Sequence, residues 1–303
     1  MDRGRPTSHH ARGVDAGSGA AQIHRHATSG GVSLGPQREP LPTRIDDTHV
    51  LPEAYDRALE DGLDRLGLSL APAARAAIDG HVRLLVAWNA AINLTAIRDP
   101  AAIATLHVVD SLTALGVLRA HGARQLLDLG SGAGFPGFPL AVALEADRAV
   151  LLDSVAKKVR FMAAMAEATG ESGRVAAVAS RAEGLASDLA GDLAEGLAGD
   201  VSQRERWPVV TARAVAGLAE LIELAFPLLE PGGILVAWKR ADPGGERAAA
   251  GRAIAAVGGG SIDAIDASLA GLLPGHRLIV ATKDGPTPVA YPRDPAVRKR
   301  RPW

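Results

Sequence analysis

The sequence predicts an α/β fold: a mainly parallel sheet with helices on both faces, preceded by a small helical region. Three observations carry this expectation. Short apolar runs alternate with helical stretches from about residue 121 onward. One run, Gln125 to Leu129, leads directly into a loop with four glycines and then a second apolar stretch, the order of strand, loop and helix. The stretch from Leu51 to Leu118, by contrast, carries apolar residues at three- and four-residue spacing.

Residues 1–50 are rich in Gly, Ser, Arg, His and Pro and lack an apolar period able to offset the entropy of ordering, so a disordered tail is expected. His9, His10, His24, His26 and His49 lie here; without cysteine or regular spacing they read as solvated residues and not as a zinc set. Residues 51–120 are expected to form a helical cap. Leu63, Leu66, Leu68 and Leu70 lead into Ile78, His81, Leu84, Leu85 and Trp88; Asn89 to Asp99 breaks the pattern, and Pro100 suits the first turn of another helix carrying Ile103, Leu106, Val109 and Leu112. His107, Asp110 and Ser111 fall on or near another face of it.

Residues 121–303 carry the sheet. Strands are expected at Gln125–Leu129, Ala149–Asp153, Arg174–Ser180, Pro208–Thr211, Gly233–Lys239 and Arg277–Thr282, with helices at Val155–Ala168, Gly217–Leu229 and Glu246–Ala256. The repetitive Ala182–Gln203 reads as a loosely helical surface insertion, and the chain ends in a basic tail.

Composition narrows the chemistry. The 303 residues are 47% hydrophobic, enough for a substantial core, and contain no cysteine, which excludes disulfides, thiolate metal sites and a thiol nucleophile and fits a reducing compartment. No apolar run approaches the roughly 18 residues of a bilayer span, so a cytoplasmic protein without membrane contact is expected. The formal charge is −1, so a nucleic-acid partner must be argued from local basic clusters.

The glycine loop admits two ligands. Gly132, Gly134 and Gly137 satisfy the G-x-G-x-x-G dinucleotide pattern, a weak signal alone. Asp128 ends the strand before Gly130, where it would orient a ligand amino group or cap the loop; Asp153 ends the next strand, where it would accept from both ribose hydroxyls or cap a helix. The ordered set of acid, glycine loop and acid looks like the S-adenosylmethionine fold. Ser180, Arg181, Ala182 and Glu183 follow the third strand, placed either to edge an adenine or to begin a helix.

With these residues assembled, the chain from about Leu51 onward resembles the bacterial 16S ribosomal RNA (guanine-N7)-methyltransferase family, also called glucose-inhibited division protein B. The resemblance rests on NLTAIRDP (Asn93–Pro100), HVVDSL (His107–Leu112), LLDLGSGAGFPGFPLA (Leu126–Ala141), LLDSVAKKVRFM (Leu151–Met162), SRAE (Ser180–Glu183), TARAVAGLAEL (Thr211–Leu221) and PLLEPGGILVAWK (Pro227–Lys239). It implies a Rossmann-like class I S-adenosylmethionine-dependent methyltransferase, acting on a guanine of the 530 loop in 16S rRNA or the small ribosomal subunit; a monomer is expected, although the sequence itself does not bear on oligomeric state. It also implies cofactor contacts at Gly130, Phe135, Asp153, Ser154, Ala182, Glu183 and Arg213, beside the sequence-based candidates Asp128, Gly132 and Gly134, with Arg213 and Lys239 at the catalytic mouth. Trp238 and Arg240 depart from the family's more frequent leucine and glycine.

Guanine N7 carries a free in-plane lone pair, so the implied reaction needs no general base; His107 is the residue best placed for one, and a packed structural histidine is the equal alternative. The local basic groups are Lys157, Lys158 and Arg160, of which the two lysines read rather as a solvated face, then Arg213, Lys239 and Arg240, and Arg298–Arg301, the better RNA candidate because Trp303 could stack on a base. A nicotinamide-dependent oxidoreductase and a noncatalytic RNA-binding assembly factor are the competing functions.

Overall fold

Proline, glycine and asparagine set the bounds of the first helices. In the computed structural model, which describes residues 41–186, 202–240, 246–269 and 271–303, α1 (Glu53–Leu66) stops at Gly67, whose φ of 61° puts it in the left-handed region. Pro72 opens α2 (Pro72–Ile92). Asp99 then caps α3 (Pro100–Ile103), its carboxylate accepting from the Ala102 amide at 2.8 Å. A π-helical turn (Ala104–Val109), α4 (Asp110–Leu112) and α5 (Leu115–Ala120) follow. Pro100–Ala120, interrupted by His107, Asp110 and Arg119, is long and apolar enough to cross a membrane by length and composition only; 56% of its apolar window is buried within the protein.

The remaining elements alternate. Strands β1 (Gln125–Leu129), β2 (Arg148–Asp153), β3 (Val175–Ala179), β4 (Trp207–Arg213), β5 (Leu229–Arg240), β6 (Gly260–Asp266) and β7 (His276–Lys283) form one sheet in the order β3-β2-β1-β4-β5-β7-β6. The first five are parallel, and β7 runs antiparallel to both β5 and β6. Helices α6 (Gly137–Ala143), α7 (Ala156–Ala168), α8 (Ala182–Ala186), α9 (Leu218–Ala225), α10 (Glu246–Ala256) and α11 (Pro295–Arg300) complete the described chain.

Central strands buried on both faces read as continuous apolar runs, and their alternate residues feed two cores. Leu126, Ala149, Leu151, Val209, Val236 and Leu278 enter one core with α1, α2, α6 and α7; Leu127, Val150, Leu152, Val210, Leu235 and Ile279 enter the other with α8, α9 and α10. The N-terminal helices are therefore a layer of the sheet domain, and Leu41–Trp303 form one compact unit.

Several expectations shift. The expected tail to residue 50 gives way at residue 41: Trp88 Nε1 donates to Pro42 O at 2.7 Å, and Arg83 donates to Ile45 O and Thr48 O, each at 2.9 Å. Polar anchoring of backbone carbonyls leaves no apolar period for a sequence reading to detect. Residues 1–40 lie outside the described residues. Strand β6 escapes the apolar pattern because it is a largely exposed edge carrying Asp263 and Asp266. Within the expected insertion, Ala182, Leu185 and Ala186 are buried in the second core; residues 187–201 lie outside the described residues.

Candidate functional site

Strand order reverses at β1 and β4: β2 and β3 extend one way and β5 the other. Ligands of α/β sheets bind outside the carboxyl ends at such a switch point. Two cavities open there, of about 500 and 380 Å³, and Ala214, Val215 and Ala216 line both. This segment follows β4, and Ala214 adopts a left-handed φ of 58°, a costly conformation for a residue with a Cβ.

The larger cavity gathers Gly130, Asp153, Ser154, Ala182 and Glu183 on its wall. Gly130 has φ +66°, a conformation strained for a residue with a Cβ, and a Cβ there would crowd Val215 Cγ2 at 2.8 Å. Asp153 combines both roles read for it. Its Oδ1 accepts from the Val155 amide at 2.9 Å, steering the chain into α7, and its Oδ2 accepts from the Gly132 amide at 3.0 Å and faces Lys158 Nζ at 3.4 Å. A carboxylate offers about four acceptor sites, leaving capacity for a ligand hydroxyl.

The rest of the loop points inward. Asp128 is fully buried and lines neither cavity: Oδ2 accepts from the Gly137 amide at 3.0 Å and Oδ1 from Thr211 Oγ1 at 2.7 Å. Burial pushes its carboxyl up to about 6. Asp128 thus shapes the loop from beneath, in the capping position that is one of the two readings for it. Gly137 packs on it so closely that an added Cβ would meet Leu151 Cδ2 at 2.5 Å. Gly134 faces the His81 ring, and the Phe135 ring is stacked between His81 and His107 at centroid distances of 4.5 and 4.8 Å. Gly132, Gly134 and Phe135 therefore build the loop's support and leave the cavity wall to Gly130.

The smaller cavity holds Arg213 and Lys239. Arg213 lines this cavity and not the larger one. Its guanidinium donates to Asp110 Oδ2 at 2.7 Å, Leu106 O at 3.3 Å and His107 Nδ1 at 3.1 Å. An arginine can only donate, so His107 Nδ1 is the acceptor and Nε2–H donates to Thr95 Oγ1 at 2.8 Å. Burial, then the Arg213 charge, lower the His107 pKa to about 3; a ring held neutral with its free lone pair already engaged is a structural group. Asn89 fixes Thr95 in turn, accepting from the Leu94 and Thr95 amides at 2.7 and 2.9 Å. His276 Nδ1 donates to Asp110 Oδ1 at 2.8 Å, and Trp238 Nε1 to Asp110 O at 2.8 Å. Lys239 Nζ lies 3.2 Å from Ala216 O and 3.1 Å from Glu246 Oε2, tying down the segment between the cavities.

Asp110 and His276 were not among the candidates. Asp110 sits in a quoted motif, but its partners come from β4 and β7, and His276 carries no local signal at all.

The basic groups divide. Lys157 and Arg160 are exposed, whereas Lys158 pairs with Asp153. At the C-terminus Arg298 is only 8% exposed and joins Glu183 and Glu220. Trp303 donates to Glu223 Oε2 at 2.6 Å, stacks on Tyr291 and has the Arg293 guanidinium 4.3 Å from its ring centroid. Arg298 and Trp303 are thus committed internally, against their reading as RNA ligands, while Lys299, Arg300 and Arg301 remain exposed.

The family profile described as rRNA small subunit methyltransferase G (GidB) matches residues 75–261. The ribosomal RNA small subunit methyltransferase G of Dehalococcoides mccartyi strain CBDB1 is 34% identical over 241 residues, covering 80% of this chain and 97% of that protein. Its counterpart from Deinococcus deserti is 39% identical over 254 residues, covering 83% and 97%.

Proposed function

The chain belongs to the rRNA small subunit methyltransferase G family, and from that premise we propose that it transfers the methyl group of S-adenosylmethionine to N7 of a guanine in 16S rRNA. The observation that carries this reading is the pair of cavities meeting at Ala214–Ala216 on the switch point of the sheet. The larger fits the cofactor: bare backbone at Gly130, an acceptor at Asp153 and a second acid at Glu183 suit a nucleoside with hydroxyl and amine donors. The smaller takes the target base between the apolar walls of Ile97, Leu106 and Leu221 and the polar groups Arg213 and Lys239.

S-adenosylmethionine supplies an electrophilic methyl group on a sulfonium sulfur. The protein's task is to align that group with N7 and exclude water; good alignment lowers such barriers by roughly 7–11 kcal/mol. No deprotonation is needed, and His107, neutral and engaged with Arg213, performs none. Methylation leaves positive charge on the guanine, so uncompensated cations beside N7 would oppose it. Both cations are compensated, Arg213 by Asp110 and Lys239 by Glu246. Their N–H groups can therefore hold the guanine O6 with little net positive field.

The exposed Lys157, Arg160, Lys299, Arg300 and Arg301 are proposed to meet the rRNA backbone, and the protein to act as a cytoplasmic monomer on a guanine of the 530 loop. Transfer of a labelled methyl group to unmethylated 16S rRNA or small subunits, with the product base mapped, tests the proposal and separates it from a noncatalytic assembly factor.

A further inference from the structure

Arg298 is a guanidinium with 8% exposure on the wall of the larger cavity, six residues beyond Pro292 of the cis Tyr291-Pro292 bond and five from the last residue, Trp303. Each of its three nitrogens donates a hydrogen bond. One terminal nitrogen donates to Glu183, the other to Arg293 O at 2.6 Å, and Nε to Glu220 Oε1 at 3.3 Å. Glu183 stands on α8 and Glu220 on α9, and both line the same cavity. Without Arg298 two carboxylates on facing elements would be left to repel each other across that wall. The segment carrying Arg298 is itself anchored: Asp294 caps α11, and Arg293 makes three hydrogen bonds to Glu223 at 2.6 to 2.9 Å.

Resting on the cofactor reading of this cavity, we infer that Arg298 is a positioning residue of the S-adenosylmethionine site: it holds Glu183 at the wall, so the C-terminal segment is part of the cofactor pocket. Glu183 then presents a fixed, charge-compensated acceptor to the cofactor's donors. The basic residues that follow, Lys299 and Arg300 on the same short helix and Arg301 at its C-cap, are thereby carried beside the pocket wall.

Calorimetric titration of the full chain with S-adenosylhomocysteine tests this in the wild type, Arg298→Met, Glu183→Gln and the double variant. Arg298→Met is expected to weaken binding about tenfold, the loss of a charged hydrogen-bond partner, with the double variant within about twofold of Glu183→Gln alone. In turnover assays the KM for cofactor rises more than kcat falls. Glu220→Gln, which leaves the Glu183 contact intact, has the smaller effect. If Arg298→Met does not fold, Arg298→Lys carries the test: it keeps the cation but cannot serve three acceptors, and its affinity should fall below that of the wild type. Wild-type affinity in the folded Arg298 variant, or additive losses in the double variant, would overturn the role of Arg298. A wild-type chain that does not bind the ligand would instead overturn the cofactor reading itself.

Discussion

Arg213, at the end of β4, and Asp110, at the start of α4, stand 103 positions apart in the sequence and meet at 2.7 Å on the wall of the smaller cavity. The pair joins the helical layer to the sheet at the place where the target base is proposed to sit. Asp110 is 3% exposed, so removing Arg213 leaves a carboxylate buried with only His276 beside it. Arg213→Ala is expected to lower unfolding stability by about 3 kcal/mol, measured in urea. At a temperature where the variant stays folded, kcat should fall about a hundredfold, as for loss of one oriented donor. Cofactor affinity should hold, because Arg213 does not line the larger cavity.

Asp153 is the converse case. It touches the Gly132 and Val155 amides and lies on the cofactor wall. Asp153→Ala is expected to weaken S-adenosylmethionine binding more than about tenfold by calorimetry, since a charged acceptor is lost. An unchanged dissociation constant would remove Asp153 from the site.

Gly137 separates loop architecture from ligand contact. A Cβ there meets Asp128 Cβ at 2.6 Å as well as Leu151, both buried and unable to withdraw. Gly137→Ala should cost about 1–3 kcal/mol of stability through overpacking, visible as a lower urea midpoint with an unchanged m value.

Acid sensitivity follows from the buried histidines. Burial lowers the His81 pKa to about 4 and that of His107 to about 3, against 6.5 for the free residue. On acidification the unfolded chain takes up these protons first, so stability is complete above pH 6.5 and is lost as pH falls toward 4. Asp128 acts with the opposite sign between 6 and its ordinary 3.8, because its folded pKa is raised, and offsets one of the two protons. The melting temperature should therefore fall from pH 6.5 to 4, and His107→Gln should flatten the fall.

The exposed end of the C-terminal helix makes a separable prediction. Replacing Lys299, Arg300 and Arg301 together by Ala should reduce the salt slope of rRNA binding by about 2, at roughly 0.7 per phosphate contact, while cofactor affinity stays as in the wild type. Equal slopes would place the RNA elsewhere.

The sheet was legible because its central strands are buried on both faces and bounded by glycine, proline or acid; six of the seven strands were anticipated in place. Gly130, Asp153, Ser154, Ala182 and Glu183 line one cavity because they follow the carboxyl ends of β1, β2 and β3, in the next loop or the first turn of α8. What the sequence hid depends on partners far along the chain. Nothing near Asp128 says that Thr211 and Gly137 will each bond one of its oxygens, and nothing near Arg298 says that Glu183 will pair with it. Nothing near Phe135 says that its ring will stack between His81 and His107 of the helical layer. Local pattern places a residue on an element; only packing decides which way it points.

The central claim is methyl transfer to guanine N7, and methyl-labelled S-adenosylmethionine with small-subunit rRNA lacking the modification tests it most directly. Digestion of the labelled RNA should release N7-methylguanine from one position in the 530 loop, and Asp153→Ala should reduce the incorporation. Label on another base, or none from a chain that binds S-adenosylhomocysteine, would contradict the account.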